Sequence, residues 1–414
     1  MNVLIFHQFY TTASESGISR FNIFAKYWKE NGIDTSVITG PINYMTSERR
    51  EERIGGIFKK EQKEGVNVYT AFSSSWKYET FFGRLLSYFS FMFSSFWAGL
   101  RAEKPQVVIA SPPPIFIGLV AYIVSVFRGA PFILDVRDLW PDAAVELGFL
   151  ENKVLIFLSR LLEDLLYRWA AVIVVNSPGF EDYISKNKKV PSNKIYKVPN
   201  PVIREDYQDL EAKKKKQQKI RKKTRQELGW TDKFVVLYSG AFSAVYDFDT
   251  ILKAAENIKD EDVLFVLMGD GRQKEAVKEK VANKGLENVE LRPSVPREEV
   301  AKFIVSADVG ISILSNISIL RYMYSTKVLD YMANSRPTIL AMRGVTEQLI
   351  CQKAQAGICI RYKDPEQLVD AINRLKNNPQ QRREFGSNGQ SFVTSEFGDE
   401  FLAKKYLDII GETL

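Results

Sequence analysis

From residue 2 to residue 360 the chain alternates short, continuously apolar runs with longer segments whose apolar residues recur at helical spacing. Runs such as NVLIF (2–6), QVVIA (106–110), AVIVV (171–175) and VLFVLM (263–268) are apolar at nearly every position rather than at every second one. A strand of that kind is covered on both faces, and strands separated by helices pair in parallel, so the pattern predicts doubly wound α/β sheets. In the first half strands are expected at 2–6, 35–39, 67–70, 106–110, 131–135, 171–175 and 195–198. In the second they are expected at 233–238, 263–268, 288–292, 309–313, 337–341 and 357–360. Helical periodicity marks 20–31, 152–169, 247–257, 272–284 and 297–306. A polar stretch divides the two series, giving a domain over 1–202, a basic linker or helix over 203–229 and a second domain over 230–396. A final helix near 397–412 has no strand after it. A length of 414 residues suits two or three domains.

Composition removes several chemistries. With one histidine, His7, and two cysteines, Cys351 and Cys359, a His/Cys zinc site or a Ser-His-Asp triad would consume nearly the whole supply. Two cysteines make no disulfide framework and fit a reducing compartment. The formal charge of +7 is local: residues 211–225 carry nine Lys/Arg against one Glu, a net of +8, which leaves the rest at 7 − 8 = −1. A nucleic-acid binder spreads basic residues over a face and interleaves aromatics, so no nucleic-acid partner is expected. The N-terminal residues show no signal peptide, and a cytoplasmic location follows. Residues 81–100 hold eight aromatics and one charge, Arg84; a buried core helix, an interfacial helix and a membrane span are the three readings.

In open parallel sheets ligands bind beyond the carboxyl ends of the strands, so the loops there carry the functional argument. After the first strand come His7 and then Gly17 at a helix entrance. Gly17 admits a sugar or phosphate to backbone amides, or is a simple loop glycine. No G-x-G-x-x-G is present, which argues against NAD or FAD. After 131–135 the chain reads Arg137-Asp138-Leu139-Trp140-Pro141-Asp142. Asp138 would receive or orient an acceptor hydroxyl and Trp140 would stack on a sugar; the alternative is an ion pair of Arg137 with Asp138 or Asp142. In the second half, Tyr238-Ser239-Gly240 and Gly269-Asp270-Gly271 are small-residue turns that let a ligand pack on backbone or merely turn the chain.

The most informative stretch is Ser325-Thr326-Lys327-Val328-Leu329-Asp330. A Ser or Thr cap leaves free amides at a helix start, Lys327 adds charge beside them, and Asp330 lies on the same face. That pattern describes a diphosphate next to ribose hydroxyls; its alternative is a surface salt bridge.

Taken in order, these motifs resemble glycosyltransferase family 4, the retaining GT-B enzymes. They run from the His7-to-Gly17 opening through Arg137-to-Pro141, Asn176-Ser177-Pro178, Val198-to-Pro201, Tyr238-Ser239-Gly240 and Gly269-Asp270-Gly271 to Ser325–Ala333. Arg-Asp-Leu-Trp-Pro together with Ser-Thr-Lys-x-x-Asp-Tyr-Met-Ala is similar to a bacterial branch that assembles O-antigen and capsule, including fucosamine transferases. The resemblance implies two Rossmann-like domains facing a cleft, with the last helix crossing back to the first domain. It implies a nucleotide-diphosphate sugar as donor, no metal and no other cofactor. Lys327 with the amides of Ser325 and Thr326 would hold the diphosphate and Asp330 the ribose. Gly17, Gly240, Ser243, Gly269, Asp270, Gly271 and Tyr322 would complete the donor site. His7, Arg137, Asp138 and Trp140 would face the acceptor, and Asp138 and Lys327 would carry the chemistry. Tyr322 stands where the family has the first Glu of a Glu-x7-Glu pair. The aromatic helix and the basic stretch suit a lipid-linked glycan acceptor at the inner leaflet. The competing reading is a GT-B scaffold that binds a nucleotide and turns nothing over.

Overall fold

The computed structural model describes residues 1–11, 19–41, 56–76, 80–202, 210–258 and 261–414. They fall into two compact units, Met1–Pro201 with Asp399–Leu414, and Val202–Gly398.

The first unit opens with β1 (Asn2–Phe6), α1 (Arg20–Glu30), β2 (Asp34–Thr39), β3 (Phe58–Lys63), β4 (Val66–Ala71) and α2 (Phe81–Arg101). It continues through β5 (Val107–Ala110), α3 (Phe116–Arg128), β6 (Phe132–Val136), α4 (Asp142–Glu146), α5 (Lys153–Trp169), β7 (Val172–Val175), α6 (Pro178–Asn187) and β8 (Ile195–Lys197). The strands lie in the order β3-β4-β2-β1-β5-β6-β7-β8, parallel except where β3 pairs antiparallel with β4. β3 reads FKKEQK and is only half-buried or exposed. As an edge strand it has no apolar run, which is why the periodicity does not reveal it.

The buried strands meet α1 through Phe21, Phe24 and Trp28. The ring of Tyr406, from the helix Asp399–Thr413, lies 5.7–5.8 Å from all three, and Trp28 Nε1–H donates to Ala403 O at 3.0 Å. Beneath them Arg20, 1 % exposed, donates from Nε to Asp135 at 3.1 Å and from Nη1 to Val198 O.

Much of α2 packs with its polarity inverted, although Phe91 is buried. Ser87, Ser94 and Ser95 are buried, while Phe82, Leu86, Phe89, Phe93 and Trp97 are exposed. The serines satisfy themselves on carbonyls: Ser94 Oγ–H reaches Phe72 O and Ser95 Oγ–H reaches Met92 O. Gly99 lets the helix approach the sheet, since a Cβ there would stand 2.6 Å from Phe6. Val126 and Phe127 of α3, and Val154 and Phe157 of α5, are exposed as well. Among the described residues no helix is long and apolar enough to cross a membrane.

The second unit comprises α7 (Leu210–Glu227), β9 (Phe234–Ser239), α8 (Phe248–Asn257), β10 (Val263–Met268), α9 (Lys274–Asn283), β11 (Val289–Arg292) and α10 (Arg297–Ser306). β12 (Val309–Ile313), α11 (Thr326–Ala333), β13 (Thr338–Ala341), α12 (Val345–Glu347), β14 (Gly357–Cys359), α13 (Pro365–Asn377) and α14 (Pro379–Glu396) follow. The helix Asp399–Thr413, α15, returns to the first unit. All six strands are parallel, in the order β11-β10-β9-β12-β13-β14.

The basic stretch is therefore not a free linker. Its α7 portion belongs to the second unit, where Arg221 and Arg225 both bond the Asp308 carboxylate. Lys215, Lys219, Lys222 and Lys223 of α7 are exposed. Cys351 and Cys359, read above as the thiols of a reducing compartment, are bonded to each other across a Cα separation of 6.3 Å.

Candidate functional site

In the second unit the turns after β9 and β10 and the start of α11 converge at the carboxyl edge of the sheet. α11 is held there by Tyr331, which is fully buried. Its hydroxyl accepts the Ser239 N–H at 3.0 Å and its ring occupies the space opposite Gly310, where a Cβ would lie 2.3 Å from Cδ2.

One turn earlier stands Lys327. It is 8 % exposed, and among the described residues Nζ has no hydrogen-bond acceptor. Instead the ammonium rests on aromatic faces, 3.9 Å from the Tyr238 ring centroid and 3.5 Å from that of Tyr246. Desolvation drives its pKa well below 10.5, only partly opposed by Asp330. An ammonium held out of water without an acceptor is costly, and cation–π contact recovers only part of that cost. Gly240 adopts φ +152°, which favours glycine, and a Cβ there would also come within 2.7 Å of Lys327 Nζ. An oxyanion at this point would meet Nζ and the first-turn amides of Thr326 and Lys327, which have no partner within the helix.

Three expectations change in detail. The Ser325 amide is engaged, donating to Thr346 Oγ1 at 3.1 Å, so the free amides begin one residue later. Ser325 itself is buried and its side chain does not cap the helix. Gly269 and Gly271 have positive φ and are required by loop-on-loop packing alone. A Cβ on Gly269 would lie 1.8 Å from Gly240 O, and one on Gly271 would lie 2.4 Å from Phe242 O. Asp270 spends its carboxylate locally, on Lys274 Nζ at 2.5 Å and the Ser294 N–H at 2.7 Å. Desolvation, the largest single influence, pushes its pKa up, but the bonds to Lys274 and Ser294 together outweigh it and the pKa falls to about 2.

Ser243 is half-buried in the turn after β9, Thr326 is exposed, and Asp330 is half-buried on α11. Tyr322 ends a 3₁₀ turn over Ser318–Tyr322. Gly17 lies outside the described residues. Tyr246 and Thr346 were not expected from the sequence. An aromatic six residues past Gly240 and a threonine in a short helix carry no motif.

In the first unit the strand ends bring His7, Arg137, Asp138 and Trp140 to one edge. His7 Nδ1–H donates to Ser111 O at 3.1 Å, so Nε2 accepts from Arg137 Nη1 at 3.2 Å. Burial, then the Arg137 charge, lower its pKa to about 3. Its imidazole is therefore neutral at physiological pH. Arg137 is fixed from behind by Asn176 Nδ2–H, which donates to its carbonyl at 2.9 Å, and its buried Nε is left without an acceptor. Desolvation lowers the Arg137 pKa, against the pull of Asp138 and Asp135. Asp142 is not its ion-pair partner; that carboxylate bonds Arg160, Lys188 and Tyr183. Asp138 is exposed and Trp140 half-buried.

The comparisons with known proteins fall on the same two units. The Glycosyl transferase 4-like domain matches residues 19–201, and Glycosyl transferases group 1 matches residues 220–392. A protein of Escherichia coli (strain K12) bearing the name colanic acid biosynthesis glycosyl transferase WcaI is 21% identical over 374 residues, 87% of this chain and 88% of its own. Among solved structures, sucrose-phosphate synthase from Thermosynechococcus elongatus superposes with a TM-score of 0.76 at 14% identity, covering 99% of this chain and 98% of that one. HepE of Anabaena with UDP-glucose bound gives 0.73 at 14% identity over 100% of both chains.

Proposed function

Because the chain belongs to the family 4 glycosyltransferases of GT-B fold, enzymes that use nucleotide sugars, we propose that it is a retaining, metal-independent transferase. Its donor in this reading is a UDP-linked N-acetylated amino or deoxy sugar, and its acceptor a growing lipid-linked surface glycan. The observation that carries the donor half is Lys327, a buried ammonium with no acceptor at the start of α11. A diphosphate supplies the missing acceptor. The UDP-glucose bound by HepE supports uridine as the base, and the name of WcaI supports a surface polysaccharide as product.

In this mechanism the C1–O bond to the diphosphate breaks as negative charge grows on the leaving oxygens. Lys327 and the amides of Thr326 and Lys327 stabilise that charge. The acceptor hydroxyl bonds to the anomeric carbon on the face the diphosphate leaves, and its proton passes to a phosphate oxygen. Asp330 holds the ribose hydroxyls, and Tyr322 contacts the sugar where the family has Glu. Asp138 orients the acceptor hydroxyl, Trp140 packs on an acceptor ring, and His7 keeps Arg137 in place. The acceptor half is supported by the outward aromatic face of α2 and the exposed lysines of α7. Each basic residue near an anionic surface contributes about 1 kcal/mol.

The test is a thermal-shift screen against UDP, GDP, ADP and dTDP and their sugars, followed by donor turnover. Stabilisation by UDP, its loss in Lys327→Ala, and a fall in turnover on the order of 10²-fold that EDTA does not reproduce in the wild type are the expected results. Binding without turnover of any donor would favour the scaffold reading.

A further inference from the structure

At the opposite edge of the second sheet, a cavity of about 170 Å³ opens between α7, the loop into β13 and the start of α14. Its lining includes Arg221, Asp308, Arg336, Arg382 and Arg383. Asp308 and Pro337 precede β12 and β13, so the cavity lies at the amino ends of those strands. β12 has five residues; at about 3.3 Å per residue this edge is about 16 Å from the edge that carries Lys327.

The charges do not balance. Asp308 already accepts from Arg221 at 2.6 Å, from Arg225 at 3.0 Å and from the Val235 N–H at 2.9 Å. Arg382 is turned onto carbonyls, Leu375 O at 2.5 Å and Lys376 O at 2.9 Å. Among the described residues neither Arg336 nor Arg383 is in close ion-pair contact with a carboxylate, Asp308 reaching Arg336 only through its longer-range field, and Arg336 Nε is buried without an acceptor there. Desolvation, and then the charge of Arg221, depress the Arg336 pKa to about 9. The lining counts four guanidiniums against one carboxylate. The cavity also takes in Pro379, the first residue of the 18-residue α14, whose amino end adds the positive pole of a helix dipole. A fold that only needed to neutralise Asp308 had done so with Arg221 and Arg225. Space for several waters, a guanidinium whose buried Nε lacks an acceptor among the described residues and a helix amino end are together the ingredients of an oxyanion site.

We propose that this cavity is a second, independent phosphate site, one that takes a phosphate or diphosphate group between Arg336, Arg383 and the start of α14. The group belongs either to a free phosphate compound or to a phospholipid head, and the chemistry of recognition is the same. The proposal does not rest on the donor assignment.

The experiment uses full-length Lys327→Ala, in which the first anion site is disabled. Inorganic phosphate and pyrophosphate are titrated calorimetrically at low salt, and flotation is measured with vesicles of phosphatidylcholine with and without phosphatidic acid. The expected result is one saturable site for pyrophosphate, or flotation that needs phosphatidic acid. Either should weaken at least tenfold in Arg336→Gln and severalfold in Arg383→Gln. The exposed position of Arg383 keeps the test valid should Arg336→Gln fail to fold. The two arms separate a soluble ligand from a lipid head. Absence of binding in both arms, or binding that both arginine variants leave unchanged, overturns the site. Pyrophosphate binding in wild type that vanishes in Lys327→Ala overturns it too, while leaving the donor assignment standing.

Discussion

Lys327→Met removes an ammonium and keeps a long apolar side chain. The native charge lies in a desolvated place, so its removal relieves a cost that the ligand-free protein bears at every pH below the depressed pKa. Between that value and 10.5 the unfolded chain binds a proton the folded one refuses, so ligand-free stability rises with pH through that window. The expected outcome is a variant melting about 2–4 °C above wild type without ligand and gaining nothing from UDP; melting curves with and without nucleotide check both. His7 has the same sign in a more acidic window. Its pKa of about 3 lies below the ordinary 6.5, so the unfolded chain alone takes up the proton as pH falls. Stability is then lost between pH 6.5 and 3, by about 1.4 kcal/mol per unit. His7→Gln, which retains a donor for Ser111 and an acceptor for Arg137, should flatten this part of a denaturation series. As the only histidine in the chain, its imidazole resonances should stay at their neutral positions from pH 8 to pH 5.

At the scale of the element, α11 is a short helix whose position is set by one residue off its functional face. Tyr331→Phe removes the acceptor for the Ser239 N–H, leaves that amide unpaired and should cost about 1–2 kcal/mol. Because Ser239 precedes Gly240, it should also weaken nucleotide stabilisation although Tyr331 faces away from the ligand. Denaturant curves together with UDP titrations separate the two effects. This element also shows what the sequence made legible. Ser325-Thr326-Lys327 announced a helix start and a cation, since both are local properties. The capture of the Ser325 amide by Thr346, and the Tyr246 ring under the ammonium, depend on contacts between segments far apart in sequence and leave no periodic trace. The strands were readable because burial on both faces makes them apolar throughout, whereas the charged edge strand β3 was not. The glycines of Gly269-Asp270-Gly271 were visible, but only the close approach of two loops shows that packing by itself already demands them.

For the whole molecule, the question is what covers an apolar surface that the fold leaves outside. α2 turns Ser87, Ser94 and Ser95 inward and, although Phe91 is buried, leaves Phe82, Phe89, Phe93 and Trp97 outward, an unusual face for a helix in water. Under the proposed function the protein should float with anionic vesicles at low salt. Phe89→Ser with Phe93→Ser should reduce the bound fraction severalfold without altering the melting temperature, since both side chains are already exposed. Flotation unaffected by that pair would separate α2 from any membrane role.

The first unit is built from two pieces of chain, Met1–Pro201 and Asp399–Leu414, with the second unit inserted between them. During synthesis on the ribosome, eight strands are therefore complete long before Tyr406 arrives to cover Phe21, Phe24 and Trp28. The inserted unit is continuous, so it can close as soon as residue 398 has emerged. The second unit can thus close before the first, whose Phe21, Phe24 and Trp28 stay uncovered until the helix Asp399–Thr413 has been made.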